Sequence, residues 1–323
     1  MEELLANPET VNPVLLSPIE YALLIGGLVA ALLFALLHRR NPPDPVALTN
    51  RLCDRALGFF EIHGIVLLHL FLFILAMFSG RLFYEHQIAL AKLGIALAIY
   101  SIVSFAIFTN TWRRGGTLAS GFGMGIRQLR FAALAPLCYL AAIPLLLLVG
   151  AVLKGIGYEL PLQENARQFI ESGPSERILF AMMATIAAPF FEELLFRGII
   201  FPALLKRMGL ASSILLVSSL FALLHFHFFV FLALFPLASL FCILFWPSEN
   251  RWLIGLTRTV LGMILLFSAC ITYSGGSFHS FLSLMILSIA LCLAYWRTGS
   301  LWTSIAMHAI FNAVTLLSLN MAG

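Results

Sequence analysis

The chain has 323 residues, 61% of them hydrophobic, with 19 Lys and Arg against 15 Asp and Glu. These 34 charges are 11% of the chain, where a soluble domain carries roughly 25%, too few to wet the surface of a 35.6 kDa globule. A soluble enzyme, a nucleic-acid-binding module and a disordered chain are thereby excluded. The composition points to an all-α polytopic membrane protein, and continuous, non-alternating apolar runs disfavour a β-barrel.

The first apolar run, about 21–37, follows an acidic segment (Glu2, Glu3, Glu9, Glu20) and ends at His38-Arg39-Arg40. The bias in Lys and Arg places the N-terminus outside and Arg39-Arg40 inside. The run is too long for a cleavable signal peptide and its positive charges follow it, so an uncleaved span is expected. A Pro-rich link (Pro42, Pro43, Pro45) and the inner residues Arg51 and Arg55 follow. Further spans are predicted over 62–79, 88–108 (closed by Trp112-Arg113-Arg114) and 131–153, with a Gly-rich basic loop at 115–130.

The stretch 154–177 holds Glu159, Glu164, Arg167, Glu171, Glu176 and Arg177 and reads as an outer amphipathic segment. Within it, Ser172–Glu176 (SGPSE) marks a helix stop and a new N-cap. Spans then follow over 178–201, leaving the membrane at Lys206-Arg207, and over 211–228, 229–246, 253–273, 281–296 and 301–320, about ten in all. The organisation expected is an N-terminal membrane region of four helices, 1–153, and a second region, 154–323. No inverted repeat of the transporter kind is visible. The cysteines (Cys53, Cys138, Cys242, Cys270, Cys292) are scattered and read as small apolar packing residues.

An ionisable side chain within a span is costly and marks a functional candidate. Glu192, Glu193 and Arg197 lie in one span, His225 in the next, and His308 with Asn312 in the last. Glu193 and Arg197 are i,i+4, so they share a helix face and can pair. Glu192 is turned about 100° from Glu193 and is left for chemistry. His308 and Asn312 are likewise i,i+4, as are Phe221 and His225.

A carboxylate, two imidazoles and an amide in a water-poor site are the parts of a hydrolase. The carboxylate would act as general base on water, and the imidazoles or amide would hold that water or an oxyanion. The same Glu192, His225 and His308 would equally suit zinc. Polar groups between membrane helices also serve as interhelical hydrogen-bond glue; His63 and His69 are read as interface or packing residues, and His227, near an expected interface, as structural. His279 is placed in a loop with Gly275-Gly276. Depth permits convergence. Glu192 lies about 21 Å before Lys206 along a straight helix, and His225 about 27 Å after Arg207.

The pattern Glu192-Glu193-x-x-x-Arg197, Phe221-x-x-x-His225 and His308-x-x-x-Asn312 resembles the three motifs of the CAAX prenyl protease and bacteriocin-processing (CPBP, or Abi) family, including its Rce1-like members. The surrounding text, APFFEELLFRGIIFPALL (188–205), FALLH (221–225) and YWRTGSLWTSIAMHAIFNAV (295–314), is similar too. The resemblance covers about 160–323. It implies an Rce1-like all-α intramembrane protease core, with Glu192 as the base that activates water and Glu193 and Arg197 in support. His225, His308 and Asn312 would complete the site. The family has been described both as metal-dependent and as glutamate-dependent. A glutamate-activated water without an obligatory metal is the favoured reading, since Asn312 is a poor zinc ligand but suits an oxyanion; zinc is the alternative. The gap from His225 to Arg297 is longer than the family pattern and suggests an extra hairpin within 230–280.

The resemblance implies an intramembrane endopeptidase acting on a membrane-anchored protein or peptide in the bilayer, and not on nucleic acid. A prenylated CAAX protein and a bacteriocin leader are equally expected substrates, and the expected location is a bacterial cytoplasmic membrane. A non-catalytic immunity or scaffold protein of the same fold is the alternative. An ion-coupled transporter using Glu192 and His308 as a relay fits the residue types but lacks the repeat.

Overall fold

A computed structural model describes residues 18–40, 42–79, 88–158, 164–226 and 278–322. In chain order the helices are α1 (Pro18–Arg40), α2 (Pro45–Cys53), α3 (Phe59–Ser79), α4 (Ile88–Arg113), α5 (Leu118–Phe122), α6 (Ile126–Leu129) and α7 (Ala135–Gly155). There follow α8 (Glu164–Glu171), α9 (Pro174–Met208), α10 (Leu210–Phe226), α11 (Phe278–Thr298) and α12 (Leu301–Ala322).

The molecule is an integral, multi-pass, all-α membrane protein. Six helical stretches among the described residues are long and apolar enough to cross a bilayer, and two shorter apolar ones lie over 60–76 and 210–225. The spans expected at 229–246 and 253–273 lie outside the described residues, as does His227. The expected basic loop at 115–130 is largely helical: Thr117 and Ser120 form a reciprocal cap that starts α5, satisfying donors a helix start would leave open. His279 is not in a loop but in the first turn of α11, because the apolar helical period begins at Phe278. The break at 172–176 is a helix stop and restart, with Glu176 accepting from the Gly173 N–H at 3.3 Å.

α9 is continuous over Pro174–Met208 but contains two π-helical turns, Met183–Ala187 and Leu194–Ile200. Each ends two residues before a proline, Pro189 or Pro202. A proline has no N–H to give to the carbonyl four residues back and its ring crowds that carbonyl, so the helix widens there.

Packing crosses the 153/154 boundary. α7 lies against α1 and against both α11 and α12. α4 touches α9, and α2 packs on the end of α9 and on α11. The basic last turns of α9 and α11 therefore meet at α2, where Arg114, just past α4, also donates to the Ala56 carbonyl at 3.2 Å.

Two left-handed glycines make the turn between α11 and α12 possible. Gly299 has φ +65°, and a Cβ there would fall 2.4 Å from the Arg51 guanidinium carbon. Gly123 ends α5 at φ +67°, and its Cβ would fall 1.9 Å from the Gly299 carbonyl oxygen. Arg51 donates to the carbonyls of Trp296 (2.9 Å) and Arg297 (3.3 Å). Arg55 donates to the Gly299 carbonyl (2.8 Å) and the Tyr295 hydroxyl (3.1 Å). The turn that launches α12, which carries His308, is thus clamped by two arginines of the N-terminal region.

Candidate active site

Three helices bring the motif residues together: α9 supplies Glu192, Glu193 and Arg197, α10 supplies Phe221 and His225, and α12 supplies His308. Arg197 and Glu193 are wholly buried and paired, Nη1 donating to Oε1 at 2.8 Å. Arg197 Nη2 also donates to Ser288 on α11, to Oγ at 2.5 Å and to the carbonyl at 3.2 Å. The guanidinium stands over the Phe221 ring at 4.6 Å. A buried charge is tolerated when it is paired and its other donors are used; both Nη groups meet that condition, while Arg197 Nε and Glu193 Oε2 are buried with no hydrogen-bond partner among the described residues.

His308 Nδ1 lies 3.0 Å from Glu193 Oε1, the oxygen that Arg197 also holds. An ionised carboxylate only accepts, so Nδ1 carries the proton and His308 turns Nε2 toward Glu192. His225 Nδ1 lies 2.8 Å from the Phe221 carbonyl, and by the same reasoning it donates and leaves Nε2 facing Glu192. The two Nε2 atoms stand 3.5 Å (His225) and 3.9 Å (His308) from Glu192 Oε2. Both distances exceed a direct hydrogen bond. Among the described residues Oε2 has no hydrogen-bond partner. Phe221 is a shared wall, with ring centroids 4.7 Å from His225 and 5.7 Å from His308.

Burial is graded across the cluster. The side chains of Glu193 and Arg197 have no exposure, His308 has 3%, Glu192 14% and His225 26%. The accessible part is therefore the Glu192–His225 flank. Asn312 lies on α12 with His308, but its Nδ2 donates to the Ala184 carbonyl at 2.7 Å, inside the first π turn of α9. The widened turn leaves this carbonyl without its α-helical donor, and the amide supplies one.

Glu192, His225 and His308 are of the right kind for zinc. As placed they do not form a ligand set: among the described residues no group of three or more His, Cys, Asp or Glu side chains is gathered at a metal-holding geometry.

Several neighbours were not singled out as site residues. Tyr100 on α4 stacks on Phe191 at 4.2 Å, and His69 on α3 lies 5.2 Å from the same ring. Phe191 immediately precedes Glu192, so helices of the N-terminal region pack on α9 next to that carboxylate. His69 is 6% exposed and agrees with its reading as a packing residue. Ser288 carried a faint signal, as a hydroxyl within an apolar span.

The fold and site together define a multi-pass helical membrane protein with a buried Glu–Arg–His core beside a less buried Glu–His pair. A family model, Type II CAAX prenyl endopeptidase Rce1-like, matches residues 174–263 and 250–314. The chain is similar to this family over residues 174–314, and the matched residues include all six candidate site residues. Comparison with curated proteins and with solved structures gives no match.

Proposed function

We propose that the protein is an intramembrane endopeptidase that hydrolyses a peptide bond of a membrane-anchored protein or peptide, with Glu192 activating the water. The observation that carries this reading is the approach of two imidazole Nε2 atoms from separate helices to Glu192 Oε2, at 3.5 and 3.9 Å. Those separations are too long for direct bonds and suit a water held among the three groups.

In the proposed reaction Glu192 takes a proton from this water as its oxygen attacks the scissile carbonyl carbon. The C–O bond forms as the carbonyl π pair moves onto oxygen, giving a tetrahedral oxyanion that a nearby imidazole stabilises when protonated. Collapse restores the carbonyl and breaks the C–N bond. The proton held by Glu192 passes to the leaving nitrogen, which departs as an amine. Glu193 and Arg197 do not touch the substrate; they fix the tautomer and angle of His308. Asn312 is a positioning residue for the π turn ahead of Glu192, with a second amide hydrogen able to face an oxyanion. No metal is required in this scheme.

The site's position within apolar helices supports a substrate that reaches it from the bilayer. Prenylated proteins with a C-terminal CAAX box and bacteriocin leader peptides are the two classes to test. The chain would be reconstituted in liposomes with a panel of prenylated, acylated and transmembrane-anchored peptides, and the products read by mass spectrometry. Cleavage of at least one class is expected. Absence of cleavage across the panel would favour a non-catalytic membrane protein of this fold.

A further inference from the structure

A cavity of about 920 Å³ lies where α2, the end of α4 and α5 meet. Arg51, Arg55 and Arg114 line it, with Asp54 and Asn50. Arg114 is neutralised by Glu61 at 2.5 Å. Arg51 and Arg55 have no carboxylate within salt-bridge range among the described residues; their bonds go to neutral carbonyls and a phenol. Arg51 Nε is buried without a hydrogen-bond partner among the described residues. Burial, and then the charge of Arg55, push the Arg51 guanidinium below its usual pKa. The arrangement is an excess of positive charge in a cleft, which an anion would relieve.

A second cavity, about 180 Å³, adjoins the first and shares Thr111 and Gly116 with it. Its walls are mainly apolar, formed by Phe108, Trp112, Leu118 and Phe122. Trp112 is 76% exposed and Leu118 47%. A basic chamber beside an apolar slot matches an amphiphile with an anionic head. It lies where basic helix ends gather around α2, and basic pockets between spans on the cytoplasmic side hold anionic lipid head groups. Trp marks the level of the head groups.

We propose that this pair of cavities binds one anionic phospholipid, its phosphate against Arg51 and Arg55 and an acyl chain along Trp112 and Leu118. The same two arginines clamp the turn 295–300 ahead of α12, so the bound head group reinforces the docking of α2 on the C-terminal half. The proposal is independent of catalysis.

Ala47 is exposed and lines the basic chamber, and its side chain takes no part in the clamp. Native mass spectrometry of the full chain, released from nanodiscs of equal phosphatidylcholine and phosphatidylglycerol, should show one retained phosphatidylglycerol. Nanodiscs of phosphatidylcholine alone, with inorganic phosphate added, should show neither a retained lipid nor a phosphate adduct. Ala47→Glu should weaken retention about fivefold, the effect of roughly one charge at a membrane surface, while Ala47→Gln retains the lipid. Unchanged thermal stability of Ala47→Glu in phosphatidylcholine would show that its fold is intact. Equal retention of phosphatidylcholine, binding of phosphate alone, or full retention by Ala47→Glu would each overturn the proposal.

Discussion

His308 Nδ1–H donates to Glu193 Oε1 at 3.0 Å, and that oxygen is the one held by Arg197 at 2.8 Å. One buried carboxylate oxygen therefore neutralises a guanidinium and orients an imidazole. Glu193→Ala would leave Arg197 charged, buried and unpaired, a loss of about 3–5 kcal/mol in stability, and would free the His308 ring. Glu193→Gln keeps an oxygen that can accept from His308. Thermal unfolding in detergent should show both variants destabilised. Processing should fall in both but remain detectable, and less so in Glu193→Ala.

Phe221 is expected to act through geometry. Its ring lies beneath Arg197 and beside both imidazoles. Phe221→Leu keeps the volume roughly and removes the π face, worth about 0.5–2 kcal/mol against a cation. Steady-state kinetics should show a lower kcat with little change in KM.

Asn312 and the π turn can be tested together. Asn312→Leu leaves the part-buried Ala184 carbonyl without its side-chain donor, a cost of about 1 kcal/mol, the low end of the range for a buried group. The variant should lose stability by that amount and lose activity. Asn312→Gln should not restore either, because the longer side chain cannot place its amide at the same point.

The turn ahead of α12 makes a prediction about backbone. Gly299→Ala meets both a left-handed φ, costing roughly 1–2 kcal/mol, and the Arg51 guanidinium at 2.4 Å. Gly115 also has a positive φ, +76°, but open space around it. Gly115→Ala should therefore show only the backbone cost, and Gly299→Ala a clearly larger drop in thermal stability.

The pairing of Glu193 with Arg197 was legible because both sit on one helix, where i,i+4 spacing is enough. So was the location of eight apolar helices, since apolar length is what a bilayer demands. The approach of His225 and His308 to Glu192 involves three helices whose rotations no single-helix period specifies; there the family motifs carried the expectation. Ser288, Tyr100 and His69 were not legible as neighbours for the same reason. The π turns had a sequence signal, Pro189 and Pro202 within an apolar run, but it marks a local widening and not a partner, so the bond from Asn312 to Ala184 could not be foreseen.

Metal dependence separates two chemistries for one set of side chains. With water activated by Glu192 alone, processing should survive prolonged treatment with a chelator, and added zinc should not raise it. Loss on chelation with recovery on zinc would assign the three groups to a metal instead.

The central claim is that Glu192 is the base. Glu192→Gln preserves the size of the side chain and removes its basicity. With wild type and Glu192→Gln at equal expression and equal thermal stability, on any substrate the wild type cleaves, the account predicts near-complete loss of kcat in the variant. Cleavage by Glu192→Gln at the wild-type rate would contradict it.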